Sequence, residues 1–256
     1  MTVTRTRPKP AVRTTTGDLS ALAGPFLVSL LAGDENAVEA VFRQARAAGA
    51  DLARVARDLV EPALDQVGRM WQRGEIGIAE EHLATALVAR SVQLSGGDAP
   101  PTPLGAPRLV LVCLAGEFHD LGARIVAEIG RQEGWQVEFL GANLPREAAI
   151  QFLSLRRPEA VGLSVSLAAH VTGCASMVDE IRRVAPGSRV LAGGLAFRLD
   201  PALAPLAGAD ACVTDAVELR DWLRANRPAP RRVPPPPKLR RRSGSRAATA
   251  PRRARR

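Results

Sequence analysis

The hydrophobic pattern of the chain changes character once, near residue 108. Before that point apolar positions recur at helical spacing. Val38, Val41, Phe42 and Ala45 fall at i, i+3, i+4 and i+7, and Leu52, Val55, Ala56 and Leu59 repeat the spacing once Gly49 has ended the preceding segment. Pro62 either kinks the next helix or starts a new one, because it has no N–H and its ring crowds the turn before it. Leu64, Val67 and Trp71 then carry an apolar stripe up to a break at "RGEIG", and a further helix is expected over about 78–95. Short connections between four or five helices predict a small antiparallel, four-helix-type bundle over residues 17–96.

A polar stretch rich in Gly and Pro, "GGDAPPTPLGAP", reads as a linker over 97–107. Beyond it five short apolar runs, "RLVLVCL", "QVEFLG", "AVGLSVS", "RVLAGG" and "ADACVT", alternate with amphipathic segments such as the one carrying Leu121, Ile125 and Ile129. Five β-α units in succession predict a parallel, doubly wound sheet over 108–225, whose ligand edge lies at the carboxyl ends of its strands. The expected fold class is therefore α followed by α/β.

Charge divides the chain differently. Residues 1–16 and 226–256 hold sixteen of the thirty-five Lys and Arg and none of the twenty-six acids, so the body is acidic and both ends are basic. Both ends are expected to be disordered, since "PPPPK", "RRR" and "PRRARR" offer too little apolar surface to offset the entropy of ordering. A solvated tail is the plain reading. The sharper one is non-specific nucleic-acid contact through released phosphate counterions, with no aromatic interleaved to read bases. Cys113, Cys174 and Cys212 lie far apart with no C-x-x-C spacing, which argues against a disulfide framework or a zinc site. With neither a secretory leader pattern nor an apolar run long enough to span a bilayer, the expectation is a soluble, cytoplasmic protein with no membrane partner.

The residues with chemical potential gather at the predicted strand ends. Glu117, His119 and Gly122 form E-x-H-x-x-G where the first strand turns into a helix, Ser164 and Ser166 close the third strand, and Gly193-Gly194 close the fourth. Taken singly, each has a plain reading as a locally bonded histidine, strand-end hydroxyls, or a tight turn. Their joint spacing resembles the D-x-H-x-x-G, S-x-L, G-G signature of the Rossmann-like corrinoid domains over roughly residues 108–225, with Glu117 in place of Asp and Ser166 in place of Leu. The resemblance implies a bound cobalamin with His119 as the lower axial ligand of cobalt. It also implies that Glu117 accepts a hydrogen bond from that imidazole, that Gly122 lets the following helix approach the corrin, and that Ser164, Ser166, Gly193 and Gly194 line the slot for the nucleotide tail.

In the helical half, Trp71 followed after nine residues by Glu81-His82 is similar to the cap motif of the adenosylcobalamin-dependent light-sensing regulators of the CarH type. That likeness implies that Trp71 packs over the adenosyl group and that Glu81, beside His82, hydrogen-bonds it. On the residues alone, Trp71 would be a core aromatic and Glu81 an acid set against a helix dipole. Two features depart from that family. Only sixteen residues precede the bundle, so operator binding through a MerR-type domain is not expected, and Gln72 stands where those photoreceptors have a second cobalt-capturing histidine. His170 is expected to be a surface residue near the cofactor edge. The reading is a cobalamin sensor rather than an enzyme, holding adenosylcobalamin and acting through a protein partner such as a transcription factor or through homo-oligomer formation. The rival is a methylcobalamin-carrying corrinoid subunit of a methyltransferase, and a third reading is a scaffold that binds no cofactor.

Overall fold

The computed structural model describes residues 17–96 and 101–229. The basic tails, 1–16 and most of 226–256, and the first part of the 97–107 connection therefore lie outside the described residues.

The helical half comprises α1 (Ser20–Ala32), α2 (Glu35–Ala47), α3 (Leu52–Val55), α4 (Glu61–Gln72) and α5 (Ile78–Ser95). Asp34 and Asp51 cap α2 and α3 by accepting hydrogen bonds from the backbone N–H groups of Ala37 and Arg54, which supplies partners for donors that a helix start leaves free. Both predicted apolar stripes are buried, from Val38 to Ala45 and from Leu52 to Leu59. Pro62 neither kinks nor restarts the chain outright. The backbone widens into a π-helical stretch, Ala56–Val60, and runs on into α4 with Pro62 in its first turn, where the missing N–H costs little.

The sheet half comprises β1 (Arg108–Cys113), α6 (Leu121–Gln132), β2 (Gln136–Phe139), α7 (Arg146–Arg156), β3 (Ala160–Ser164), α8 (Val171–Val184), β4 (Arg189–Gly193), α9 (Leu195–Leu199), β5 (Ala211–Val213) and α10 (Ala216–Ala225). The strands are parallel in the order β2-β1-β3-β4-β5. This is the α plus α/β architecture that the alternation of patterns predicts. The order reverses between β1 and β3, so the crevice at their carboxyl ends is the topological switch point where such sheets take ligands.

Two apolar cores result. One lies on the face covered by α7 and α8 and includes Leu153, Val161, Met177, Ile181 and Phe197. The other is continuous from the bundle through α6 and α10 to the sheet, joining Leu59 and Val88 to Leu109, Ile129, Leu219 and Leu223. Trp135 is buried in this shared core and donates its indole N–H to the Leu223 carbonyl at 3.3 Å. The bundle is thus packed onto one face of the sheet.

Candidate functional site

Strand register brings the predicted positions level. Cys113 pairs with Ser164 across β1 and β3, and Ser164 pairs with Gly193 across β3 and β4, so three neighbouring strands end in one row. The loop that follows β1 rises from this row carrying Glu117, Phe118 and His119. His119 is exposed, and among the described residues it makes no hydrogen bond or ion pair. Phe118 stands 70% exposed beside it.

Glu117 is fully buried. Its Oε1 accepts from the backbone N–H of Ser166 at 2.8 Å and of Leu167 at 3.2 Å, and pairs with His170 Nδ1 at 2.7 Å. His119 is the expected partner of Glu117; in the structure the imidazole bonded to Oε1 is that of His170. His170 is correspondingly not the free surface residue its position suggested. It ends a short helical turn, Ala168–His170, with its side chain 27% exposed, and its ring lies against the Gly116 backbone. Glu117 Oε2 is left buried without a partner among the described residues. A buried carboxylate oxygen in that state costs free energy unless a donor reaches it, and the loop itself holds one free imidazole, that of His119.

A second clamp comes from the β2–α7 loop. Asn143 adopts a left-handed backbone conformation, accepts from the Gly116 N–H through Oδ1 at 2.8 Å, and donates its own N–H to the Glu117 carbonyl at 2.8 Å. Sequence reading missed Asn143. The available signal was an Asn just after a strand end in "GANLP", a residue type that tolerates the left-handed region.

The glycines divide by physical role. Gly194 has φ of +119° and lies against the Val165 backbone, so a Cβ would sit 2.5 Å from the Val165 carbonyl oxygen. The fold itself demands that glycine. Gly193 is tight only against Val213. Gly122, exposed in the first turn of α6, has nothing within 4 Å of where a Cβ would be. Ser166 serves the site through its N–H, while Ser164 is engaged by the buried Cys113 thiol, whose pKa burial pushes up to about 11.

In the bundle Trp71 does not join the core, as the apolar stripe implied, but stands 47% exposed at the end of α4. Glu81 turns toward its neighbour, pairing with His82 Nδ1 at 2.6 Å and accepting from the Thr85 hydroxyl at 3.2 Å. Among the described residues no hydrogen bond or ion pair joins Trp71, Glu81 or His82 to the strand-end row. The polar link between α4 and that edge is one that sequence reading did not find: Arg198, on α9 just past Gly194, donates to both carboxylate oxygens of Asp65 at 2.6 and 2.7 Å.

The donor set fits a corrinoid. The described residues contain no cluster of three His, Cys, Asp or Glu able to cage a bare ion, whereas a metal already held by a macrocycle needs one axial imidazole. His119 offers an exposed imidazole that makes no hydrogen bond or ion pair among the described residues.

Residues 107–220 match a family model described as B12 binding domain, and residues 23–94 match a second model of the same description. The HTH-type transcriptional repressors CarA and CarH of Myxococcus xanthus are each 33% identical. The CarA match covers 48% of this chain and 42% of CarA, and the CarH match covers 55% of this chain and 47% of CarH. Dimethylamine corrinoid protein 3 of Methanosarcina acetivorans is 25% identical, over 50% of this chain and 60% of its own length. The matched segments thus span less than half the length of the two repressors. Among solved structures, the Methanosarcina barkeri monomethylamine corrinoid protein shares the fold, with a TM-score of 0.64 at 16% identity over 78% of this chain and 95% of that one.

Proposed function

Because the chain belongs to the B12-binding domain family, in its helical and its sheet portions alike, we propose that it is a cobalamin sensor that takes adenosylcobalamin between bundle and strand edge and reports the state of the cofactor to a partner protein or a second copy of itself. The observation that carries this reading is Trp71, a large aromatic left half exposed at the bundle's rim instead of in the core its periodicity points to. Burying that surface against a flat apolar group returns the free energy its exposure withholds.

When bound, the cofactor would supply a cobalt–carbon bond. His119 would hold it through its imidazole. The unpaired Glu117 Oε2 is the acceptor that would fix its tautomer and raise its basicity, as carboxylates do behind metal-bound histidines. Ser164, Ser166 and Gly193 would supply small side chains and bare backbone for the nucleotide tail, while Trp71 and Glu81 would meet the adenosyl group. Glu81 would do so by trading its bond to His82. Relatedness to the CarA and CarH repressors supports a regulatory output.

A second reading is a methylcobalamin-carrying subunit of a methyltransferase system, favoured by the likeness to a dimethylamine corrinoid protein. A methyl group needs neither an aromatic lid nor a polar partner, so Trp71 and Glu81 favour the sensor. The test is reconstitution in the dark with adenosylcobalamin. A red, base-off, His-on spectrum is expected, with a weakly bound yellow base-off form in His119→Ala. An unchanged spectrum in that variant would show the axial ligand to be misassigned, and preference for the methyl form would favour the carrier.

A further inference from the structure

Arg198 links the helix that carries Trp71 to the strand edge. The α9 turn is fixed to the sheet, with Phe197 buried and the Ala196 N–H bonded to the Val165 carbonyl at 3.2 Å. From it Arg198 reaches Asp65, six residues before Trp71 on α4, with both carboxylate oxygens engaged. At its start, the same continuous helix is tied to α10 through Asp51 and Arg220 at 2.7 Å. The π-helical stretch Ala56–Val60 separates these two anchors.

Resting on the cobalamin reading of this site, we propose that Arg198 is a positioning residue: its fork on Asp65 sets where the Trp71 helix stands relative to the Gly193–Gly194 edge, and Glu61 beside it controls how firmly that fork holds. A paired, partly buried Arg is suited to such a role because its planar fork fixes direction as well as distance.

Glu61 lies one turn before Asp65 in the same interface. Burial pushes its carboxyl up to about 7. The nearby Arg198 pulls the other way, while the charges of Asp215 and Asp65 add to the rise and the Ala216 N–H opposes it. Of the other elements packed on α4, α1 carries no charged residue, and α5 carries Glu80, whose carboxylate lies beside Gly77, Glu81 paired with His82, and Arg90 paired with Glu35. Arg57, in the π-helical stretch, binds Asp58 and faces Asp215. The closed interface therefore prefers Glu61 neutral. Once charged, Glu61 gains by letting water in, which loosens the contact between α4 and α9.

The experiment uses the full chain without cofactor and reads hydrogen-exchange protection factors over residues 61–72, corrected for intrinsic rates. Asp65→Arg and Arg198→Asp should each lower protection about tenfold, and the double exchange should restore most of it, as expected of a directly coupled pair. Protection in the native chain should be greater at pH 6 than at pH 8, a difference that Glu61→Gln removes. With cobalamins added, each single variant should lose preference for the adenosyl over the methyl form and the double variant regain it, the His-on spectrum staying unchanged throughout. Unaltered protection in the single variants, or a loss that the double variant does not repair, overturns the proposal. Protection that falls and recovers in a protein binding no cobalamin would instead overturn the reading of the site while upholding the clamp.

Discussion

Glu117 and His170, fifty-three residues apart, meet at 2.7 Å under the loop that carries His119, and the same carboxylate keeps its other oxygen buried and, among the described residues, unpaired. A fully buried carboxylate is tolerable only when its charge is answered by donors. Two backbone N–H groups and one imidazole answer it here.

Removing the imidazole should therefore be costly even though His170 sits near the surface. His170→Ala deletes one hydrogen bond to a buried charged group and should lower unfolding free energy by about 1.5–3 kcal/mol. Urea denaturation of the cofactor-free protein measures this. The same substitution made in a Glu117→Gln background should cost less, because the charge is gone. Equal losses in both backgrounds would assign the effect to packing.

The glycines give a paired prediction. Gly194→Ala forces a side chain into backbone geometry that favours glycine and against the Val165 carbonyl, so stability should fall by at least about 2 kcal/mol, visible as a lowered denaturation midpoint. Gly122→Ala meets open space within α6 and should leave the cofactor-free protein as stable or stabilise it by about 0.5–1 kcal/mol. Cobalamin affinity should nevertheless drop in Gly122→Ala. Retained affinity would show that the open space is not the cofactor's.

These residues also mark what was legible in the sequence. Periodicity of 3.6 before residue 96, then apolar runs alternating with helical patterns, disclosed the bundle, the parallel sheet and the strand-end row, because burial imposes those periods directly. Pro62 was read as a kink or a restart because the π-helical accommodation before it leaves no compositional trace. The bond between Glu117 and His170 was not legible, since it depends on the turn after β3 that brings this imidazole to the carboxylate. Asp65 and Arg198, one on each half of the molecule, gave no signal at all: a contact spanning 133 residues depends on how the halves pack, and neither residue type is unusual where it stands.

The acidity of Glu61 predicts the pH dependence of the cofactor-free protein. In the unfolded chain the group titrates near 4.5 and in the folded protein near 7. Between those values the folded form holds a proton that the unfolded form has lost, so stability declines as pH rises through this window, and the full penalty stands above pH 7. Allowing for solvent screening of a group that is only partly buried, the decline should be about 2 kcal/mol. Denaturant midpoints at pH 5.5 and 8 measure it. Glu61→Gln should be flatter across the range and more stable than the native chain at pH 8.

The lid residues predict selectivity. On the proposed function, Trp71→Ala removes stacking surface and Glu81→Ala removes an acceptor for the adenosyl group, so each should cut the preference for adenosyl- over methylcobalamin by about ten- to a hundredfold. Titration calorimetry with both cobalamins in the dark provides the ratio. If both variants bind the two forms as the native chain does, the bundle is not a lid for the adenosyl group and the carrier reading gains.

Light separates the two readings most directly. Alkylcobalamins lose their upper ligand on absorbing visible light whatever holds them, so bleaching by itself carries no information about function. The informative quantity is the response of the protein. If Trp71 and Glu81 close over the adenosyl group, its loss removes contacts from the helix that Arg198 holds against the strand edge, and any interface sensitive to that helix must repopulate in proportion to the contact energy lost. Gln72 follows Trp71 and offers no imidazole to cobalt, so the illuminated product should carry water or hydroxide, and fresh adenosylcobalamin in the dark should reverse the change. Size-exclusion chromatography with in-line light scattering, before and after green light, reads the assembly state. Retention of a candidate regulator on the immobilised protein under the same two conditions reads partner affinity. A change in either that Trp71→Ala abolishes is the expected outcome for a sensor. Identical behaviour in dark and light, in a protein whose spectrum shows the upper ligand gone, would identify a passive carrier.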